Sequence, residues 1–384
     1  MRVLHVTPAY YPATYWGGPI FSVFALNNAL AQLTDVSLTV LTTDAAGPRP
    51  ADRLEPADLL GLYPNQRVEI MPRLAGASVS LAMLGKLPAL VRKADVVHLT
   101  AAYSFPTLPT LLLCRLFGKP LVWSPRGAIQ DAHEWAGARH RRLKRLWERA
   151  CNLLMPPGRM LVHVTAERER AATQARLPRL AAVVVPNGVD TPEALPARQW
   201  RPGGRLRLMY LGRLSPKKGI ENLLAAVSLL RGMDISLAIH GTGEAGYVAE
   251  LKGLAGRGGL PAGAVHFTGH VDGEAKAAAF ANADVCVVPS HSENFCMVVA
   301  EALAHGVPVV TSKGTPWQAV EDRQCGLWVD NDPRSLADAI AKIGQSDLAT
   351  MGSLGHAWMR TEFDWDSIAR AMHRVYERVL EARP

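Results

Sequence analysis

The stretch Pro289-Ser290-His291-Ser292-Glu293-Asn294-Phe295-Cys296-Met297-Val298-Val299-Ala300-Glu301-Ala302-Leu303-Ala304-His305-Gly306-Val307-Pro308-Val309-Val310 reads as a strand end, a loop, a helix and a Gly-Val-Pro turn into another strand. Glu293 falls in the loop and Glu301 inside the helix. Backbone N–H groups of the first turn, near Phe295, Cys296 and Met297, lack intrahelical acceptors and suit an anion. Glu301 follows about five residues later, or about 7–8 Å along the axis at ~1.5 Å per residue. One short segment can therefore hold sugar hydroxyls at Glu293, phosphates at the helix tip and ribose hydroxyls at Glu301. Two surface glutamates beside an ordinary amphipathic helix would give the same spacing.

Working outward, the β-α alternation continues in both directions. The 384 residues are enough for two domains, and 48% hydrophobic against 20% charged content fits a globular core. Strands are expected at Val3–Thr7, Val36–Thr42, Val68–Met71, Asp95–Thr100, Leu121–Ser124, Leu161–Thr165 and Val183–Val185, with helical stretches such as Ile20–Leu33 and Phe105–Phe117 between them. A second series runs Leu206–Leu211, Ile235–His240, Val265–Thr268, Asp284–Val288 and Val307–Val310. Residues 188–204, rich in Pro, Arg and Gly, read as an interdomain linker. Domains are thus expected over 1–187 and 205–363, with one amphipathic helix over about 364–384.

Five scattered cysteines, with no Cys-x-x-Cys, argue against a disulfide or zinc framework and for a reducing compartment. The apolar run at the N-terminus is too short for a signal peptide, and none anywhere reaches the length of a membrane span. Charge is lopsided. Residues 1–190 carry 22 Lys+Arg and 13 Asp+Glu, a balance of +9, whereas residues 191–384 carry 20 and 21, a balance of −1. The first half is expected to face something anionic.

Glu293 and Glu301, with Phe295 and the Gly306-Val307-Pro308-Val309-Val310 turn, resemble the Glu-x7-Glu signature of the retaining nucleotide-sugar glycosyltransferases of family four (group 1). That family has the GT-B fold, an α/β architecture of two Rossmann-like domains facing a central cleft, with a C-terminal helix crossing back to the first domain. Tyr210-Leu211-Gly212-Arg213-Leu214-Ser215-Pro216-Lys217-Lys218-Gly219 matches its Gly-Arg…Lys-Gly motif, which implies that Arg213 and Lys218 bind the donor's β-phosphate. Those cations would neutralise charge growing on the leaving group in place of a metal. The resemblance also implies that Gly241 and Val271 lie near the nucleotide, and that Gly17-Gly18 approaches phosphates after the first strand. Tight turns explain these glycines equally well.

Two first-half residues complete the candidate set. Arg126, in Ser124-Pro125-Arg126-Gly127, stands where many family members have a His that touches the donor sugar. A guanidinium cannot act as a base, but it can bind a phosphate or a polar acceptor. His98, at a strand end, is either a site residue or structural.

The segment Arg139–Arg149 is a basic amphipathic helix with Leu143, Leu146, Trp147, Ala150 and Leu154 on one face. It either meets an anionic membrane or lipid-pyrophosphate acceptor, or packs on the sheet with a solvated basic face.

The resemblance implies a retaining, metal-independent hexosyltransferase. It would move sugar from a UDP- or GDP-sugar, a substrate rather than a cofactor, to a glycan or lipid-linked acceptor in bacterial-type surface polysaccharide assembly. The departing phosphate would act as base, and closure about Asn187–Gly204 would exclude water. No cofactor, metal or nucleic acid is expected, and the setting would be cytoplasmic, peripheral on the plasma membrane. A GT-B sugar-nucleotide epimerase and a catalytically silent GT-B partner subunit remain alternatives. A dinucleotide oxidoreductase would need Gly-x-Gly-x-x-Gly after the first strand, a spacing that Gly17-Gly18 lacks.

Overall fold

The apolar runs of the first half become seven parallel strands: β1 (Arg2–Val6), β2 (Ser37–Thr43), β3 (Gln66–Met71), β4 (Val96–Thr100), β5 (Leu121–Ser124), β6 (Met160–Val164) and β7 (Ala182–Val184). They are ordered β3-β2-β1-β4-β5-β6-β7 in one sheet. The computed structural model describes residues 1–55, 63–129, 140–257 and 263–382. Alternation along each strand sorts side chains onto two faces. Leu4, Val6, Val97, Leu99, Leu121 and Trp123 share one core, whereas Val3, Val96, Val122 and Leu161 share the other.

Helix Gly18–Ala31 and the C-terminal helix Trp365–Glu381 cover that second face, where Ile368, Met372, Val375 and Tyr376 are buried. The chain thus divides into one unit of Met1–Gly188 with Trp365–Pro384 and another of Val189–Asp364. Gly188 owes its identity to this arrangement, since a Cβ there would lie 2.5 Å from the Trp365 ring.

The second unit holds six parallel strands: β8 (Leu206–Leu211), β9 (Ile235–His240), β10 (Val265–Gly269), β11 (Val285–Val288), β12 (Val309–Ser312) and β13 (Gly326–Val329). Their order is β10-β9-β8-β11-β12-β13. Helices lie on both faces, as the two cores of this unit require.

Three sequence expectations need adjustment. The first helix starts at Gly18 rather than Ile20, because the chain turns at Gly17, whose φ is +84°, and Pro19 fits the first helical turn. The second series has a sixth strand, β13, which the sequence reading does not mark. Residues read as a linker are largely fixed to the second unit: Val189 joins its core, and Arg198 donates to the carbonyls of Ala283 and His305. Leu195 occupies the space left by the absent Cβ of Gly306.

Candidate functional site

Strand order reverses direction between β8 and β11, and ligands of open parallel sheets bind at the carboxyl ends of strands beside such a switch point. Two loops of the second unit leave from those ends. Gly212-Arg213-Leu214 follows β8, and Pro289–Cys296 follows β11.

The β8 loop is pinned to its neighbour at backbone level. Gly212 N–H donates to the His240 carbonyl at 3.0 Å, and Leu214 N–H to the Thr242 carbonyl at 2.8 Å. Gly241 allows this approach, since its φ is +141° and a Cβ would fall 1.8 Å from the Gly212 oxygen. Gly241 N–H in turn donates to the Gly269 carbonyl at 2.7 Å, tying in the loop that carries half-buried Val271. Arg213 is exposed and makes no ion pair among the described residues. Lys218 lies on a short 3-10 turn, Pro216–Lys218, closed by Gly219. A Cβ on Gly219 would strike the Pro289 carbonyl at 2.1 Å, so this glycine permits the β8 segment to meet the β11 loop.

The contact between them is chemical as well as steric. Lys218 Nζ donates to Glu293 Oε1 at 2.5 Å, and Ser290 Oγ donates to the same oxygen at 2.7 Å. Glu293 N–H is held by the Gly314 carbonyl at 2.9 Å. Glu301, one helix further, accepts from Lys276 Nζ at 2.8 Å. Lys276 belongs to helix Gly273–Ala281, and no motif in the sequence singled it out. Both carboxylates are mostly shielded, their side chains 14% and 20% exposed. Two cations, Lys218 and Lys276, thus pair with the two carboxylates.

The helix between the glutamates is Met297–Ala304, so its open donors are the N–H groups of Met297 and Val298, while Val299 N–H already bonds the Cys296 carbonyl. Cys296 caps it with φ +68°, and burial pushes its thiol well above the ordinary value. It is a packing residue rather than a nucleophile. The Phe295 ring is also structural, buried against Trp317, whose Nε1–H donates to the Phe295 carbonyl at 2.5 Å. Of the expected donor contacts, therefore, Phe295 and Cys296 offer backbone only.

In the first unit, Gly17 and Gly18 begin the helix after β1, and Gly18 has open space at its Cβ position. Arg126 follows β5 in a left-handed conformation with φ +55° and donates Nη1–H to Asn187 Oδ1 at 2.7 Å. His98 is corrected. It is fully buried and stacked on His5 at 4.2 Å between ring centroids, with Tyr376 OH 2.7 Å from Nδ1 and Ser124 Oγ 2.6 Å from Nε2. Its side chain lies in the core, and no atom remains to meet a substrate.

The basic helix runs Arg141–Leu154, and Arg139 lies outside the described residues. Its inward face is Glu148 and Cys151, with Trp147 and Leu154 beside them. Leu143 and Leu146, read from the sequence as sharing a face with Trp147, face solvent along with Leu153, at 64%, 62% and 72% exposure. Glu148 wins the interior because Tyr103 OH and Arg176 Nη2 both donate to it. Among the described residues no helix is long and apolar enough to cross a membrane.

Known proteins resemble the chain in sequence and in fold. A family model described as Glycosyltransferase Family 4 matches residues 16–193, and one described as Glycosyl transferases group 1 matches residues 205–346. A glycogen synthase of Mycobacterium tuberculosis is 29% identical over 292 residues, which is 73% of this chain and 68% of that protein. A GDP-mannose-dependent α-mannosyltransferase of Mycolicibacterium smegmatis is 32% identical over 242 residues, covering 58% and 60%. The solved structure of Anabaena HepE in complex with UDP superposes with a TM-score of 0.73 at 20% identity, covering 98% of this chain and 100% of that one. The fold is GT-B.

Proposed function

We propose, because the chain belongs to the group 1, family four glycosyltransferases, that it moves a hexose from a UDP- or GDP-sugar to a hydroxyl of a glycan or lipid-linked acceptor, with retention at the anomeric carbon. One observation carries the reading: each signature carboxylate of the second unit is held by its own lysine, Lys218 on Glu293 and Lys276 on Glu301, around a helix start with open N–H donors. Anionic phosphates are welcome at such a helix start. Glu293 then orients the sugar hydroxyls and Glu301 the ribose hydroxyls. Arg213 and Lys218 stabilise charge that develops on the departing diphosphate, and no metal is needed for that task. The diphosphate oxygen itself takes the acceptor proton during front-side attack. A GDP-mannose or UDP-glucose type of donor is favoured by the relatives, a GDP-mannose-dependent mannosyltransferase and HepE solved with UDP-glucose.

The exposed leucines and arginines of helix Arg141–Leu154 suit an acceptor presented at an anionic membrane. Leu143, Leu146 and Leu153 form one stripe, with Arg142, Arg145 and Arg149 beside it.

The test is incubation with UDP- and GDP-hexoses and a polyprenyl-linked saccharide, followed by NMR of the product. An α-linked product from an α-configured donor is expected. An inverted linkage, or isomerisation of donor without acceptor, overturns the proposal.

A further inference from the structure

Arg126 presents two nitrogens that nothing satisfies. Nη1 is engaged by Asn187, but Nε and Nη2 are buried and without a hydrogen-bond partner. These two N–H groups form one flank of the guanidinium, the edge that meets the two oxygens of a carboxylate or phosphate in parallel. The open part is therefore a complete bidentate fork rather than a stray atom.

Among the described residues, nothing nearby in the first unit supplies the missing oxygens. Glu169 senses the charge of Arg126, yet its Oε1 accepts from Gly127 N–H at 2.6 Å, and its Oε2 from the Thr165 N–H and hydroxyl at 2.7 and 2.9 Å. Three buried histidines, His5, His98 and His163, also feel Arg126 and stay neutral. Burial lowers the pKa of Arg126 itself to about 10, which leaves it charged at neutral pH. A buried guanidinium whose Nε and Nη2 find no acceptor is costly, and a left-handed backbone adds strain. Both are understandable where a ligand supplies the oxyanion. The position also fits, because Arg126 stands just past the carboxyl end of β5, the edge where parallel sheets bind ligands.

We propose that Arg126 is the oxyanion receptor of the first unit, its Nε–Nη2 edge taking the carboxylate or phosphate group of a substrate. The inference names a chemical feature of a substrate for the transfer proposed above and rests on that reading only for the word substrate. The oxyanion contact stands by itself. If Arg126 were simply a strap for Asn187, Nη1 alone would be in use, and the buried fork would have no purpose.

The experiment is thermal unfolding of the full chain in the Arg213→Ala, Lys218→Ala background, which silences the phosphate-binding cations of the second unit. Probes are inorganic phosphate, glucuronate and neutral glucose, each with and without Arg126→Met. Phosphate or glucuronate, but not glucose, is expected to raise the midpoint by about 2–4 °C. Arg126→Met should abolish that rise while leaving the unliganded midpoint equal or higher, since two buried donors without acceptors are gone. A response to glucuronate alone identifies a sugar acid, and to phosphate alone a phosphate ester. No anion response in the background, or one that survives Arg126→Met, overturns the proposal. Should the Met variant not fold, Arg126→Lys keeps the charge without the fork, and an undiminished response in it is equally contradictory. Failure of the transfer assay would leave these outcomes unchanged, so the two readings fall separately.

Discussion

The Tyr376 hydroxyl lies 2.7 Å from His98 Nδ1, joining the C-terminal helix to β4. The direction of this bond follows from the far end of the chain of contacts. The Val185 carbonyl can only accept, so His163 Nε2 carries hydrogen and donates to it at 2.9 Å. His163 Nδ1 then accepts from Ser124 Oγ at 2.7 Å, and Ser124 Oγ accepts from His98 Nε2–H at 2.6 Å. His98 Nδ1 is left as an acceptor, and Tyr376 must donate to it. On the adjacent ring, His5 Nδ1–H donates to Asn27 Oδ1 at 2.7 Å and Nε2 accepts from Thr100 Oγ1 at the same distance.

Tyr376→Phe removes one donor and leaves a buried acceptor alone. We expect a loss of about 1–3 kcal/mol in the stability of the first unit, measured by denaturant unfolding. An unchanged midpoint would contradict the assigned direction.

The same histidines set an acid limit. Burial lowers His5 to about 4 and His163 to about 3, and holds His98 well below its ordinary value. Folded rings are thus neutral where unfolded rings, at about 6.5, take up protons. Their contribution is complete above about pH 6.5 and is lost as pH falls toward 4 for His5 and toward 3 for His163. Each ring contributes a slope of roughly 1.4 kcal/mol per pH unit within its window. Unfolding midpoints measured from pH 7.5 to 4.5 should fall steeply below 6.5, and His163→Gln should make the fall shallower. A flat profile over that range would sink the account.

These rings also show what the sequence discloses. Buried parallel strands are continuous apolar runs, so β5, β8 and β9 could be bounded to the residue. His5, His98 and His163 interrupt such runs at positions that alternate onto the face of Val3, Val96 and Leu161, which points inward. Which hydroxyl meets which nitrogen depends on chain segments up to 278 residues apart and has no local signal. The pairing of Lys276 with Glu301 was hidden for the same reason. Motif and loop chemistry mark Glu293, Glu301 and Lys218 as candidates in the sequence, whereas the direct contact of Lys218 with Glu293 is seen only in the fold. The orientation of Leu143 and Leu146 stayed open because helical spacing identifies a stripe but not which part of it turns inward.

Lys218 and Lys276 should behave differently in steady-state donor turnover. Lys218→Ala removes charge stabilisation of the leaving group, so kcat should fall about 100- to 1000-fold. Lys276→Ala releases Glu301 from its partner, and the donor KM should rise about 3- to 10-fold with kcat nearly kept, as expected for about 1 kcal/mol of binding. Equal effects on kcat in both variants would contradict the assigned roles.

Vesicle co-sedimentation examines the basic helix. Anionic vesicles should bind the protein and neutral ones much less. Reversing Arg142, Arg145 and Arg149 to Glu should weaken binding at least about 100-fold, given about 1 kcal/mol per cation near an anionic surface. Equal binding to both vesicle types would remove the membrane from the proposal.

The most direct measurement of the donor site is thermal unfolding with UDP, GDP and ADP, for the natural chain and Glu301→Ala. A nucleotide at ~100 times its dissociation constant adds about 2.7 kcal/mol, or about 5–10 °C for a unit of this size. The account predicts that rise with UDP or GDP and its loss in Glu301→Ala. A rise of equal size in the variant, or none with any nucleotide, would contradict it.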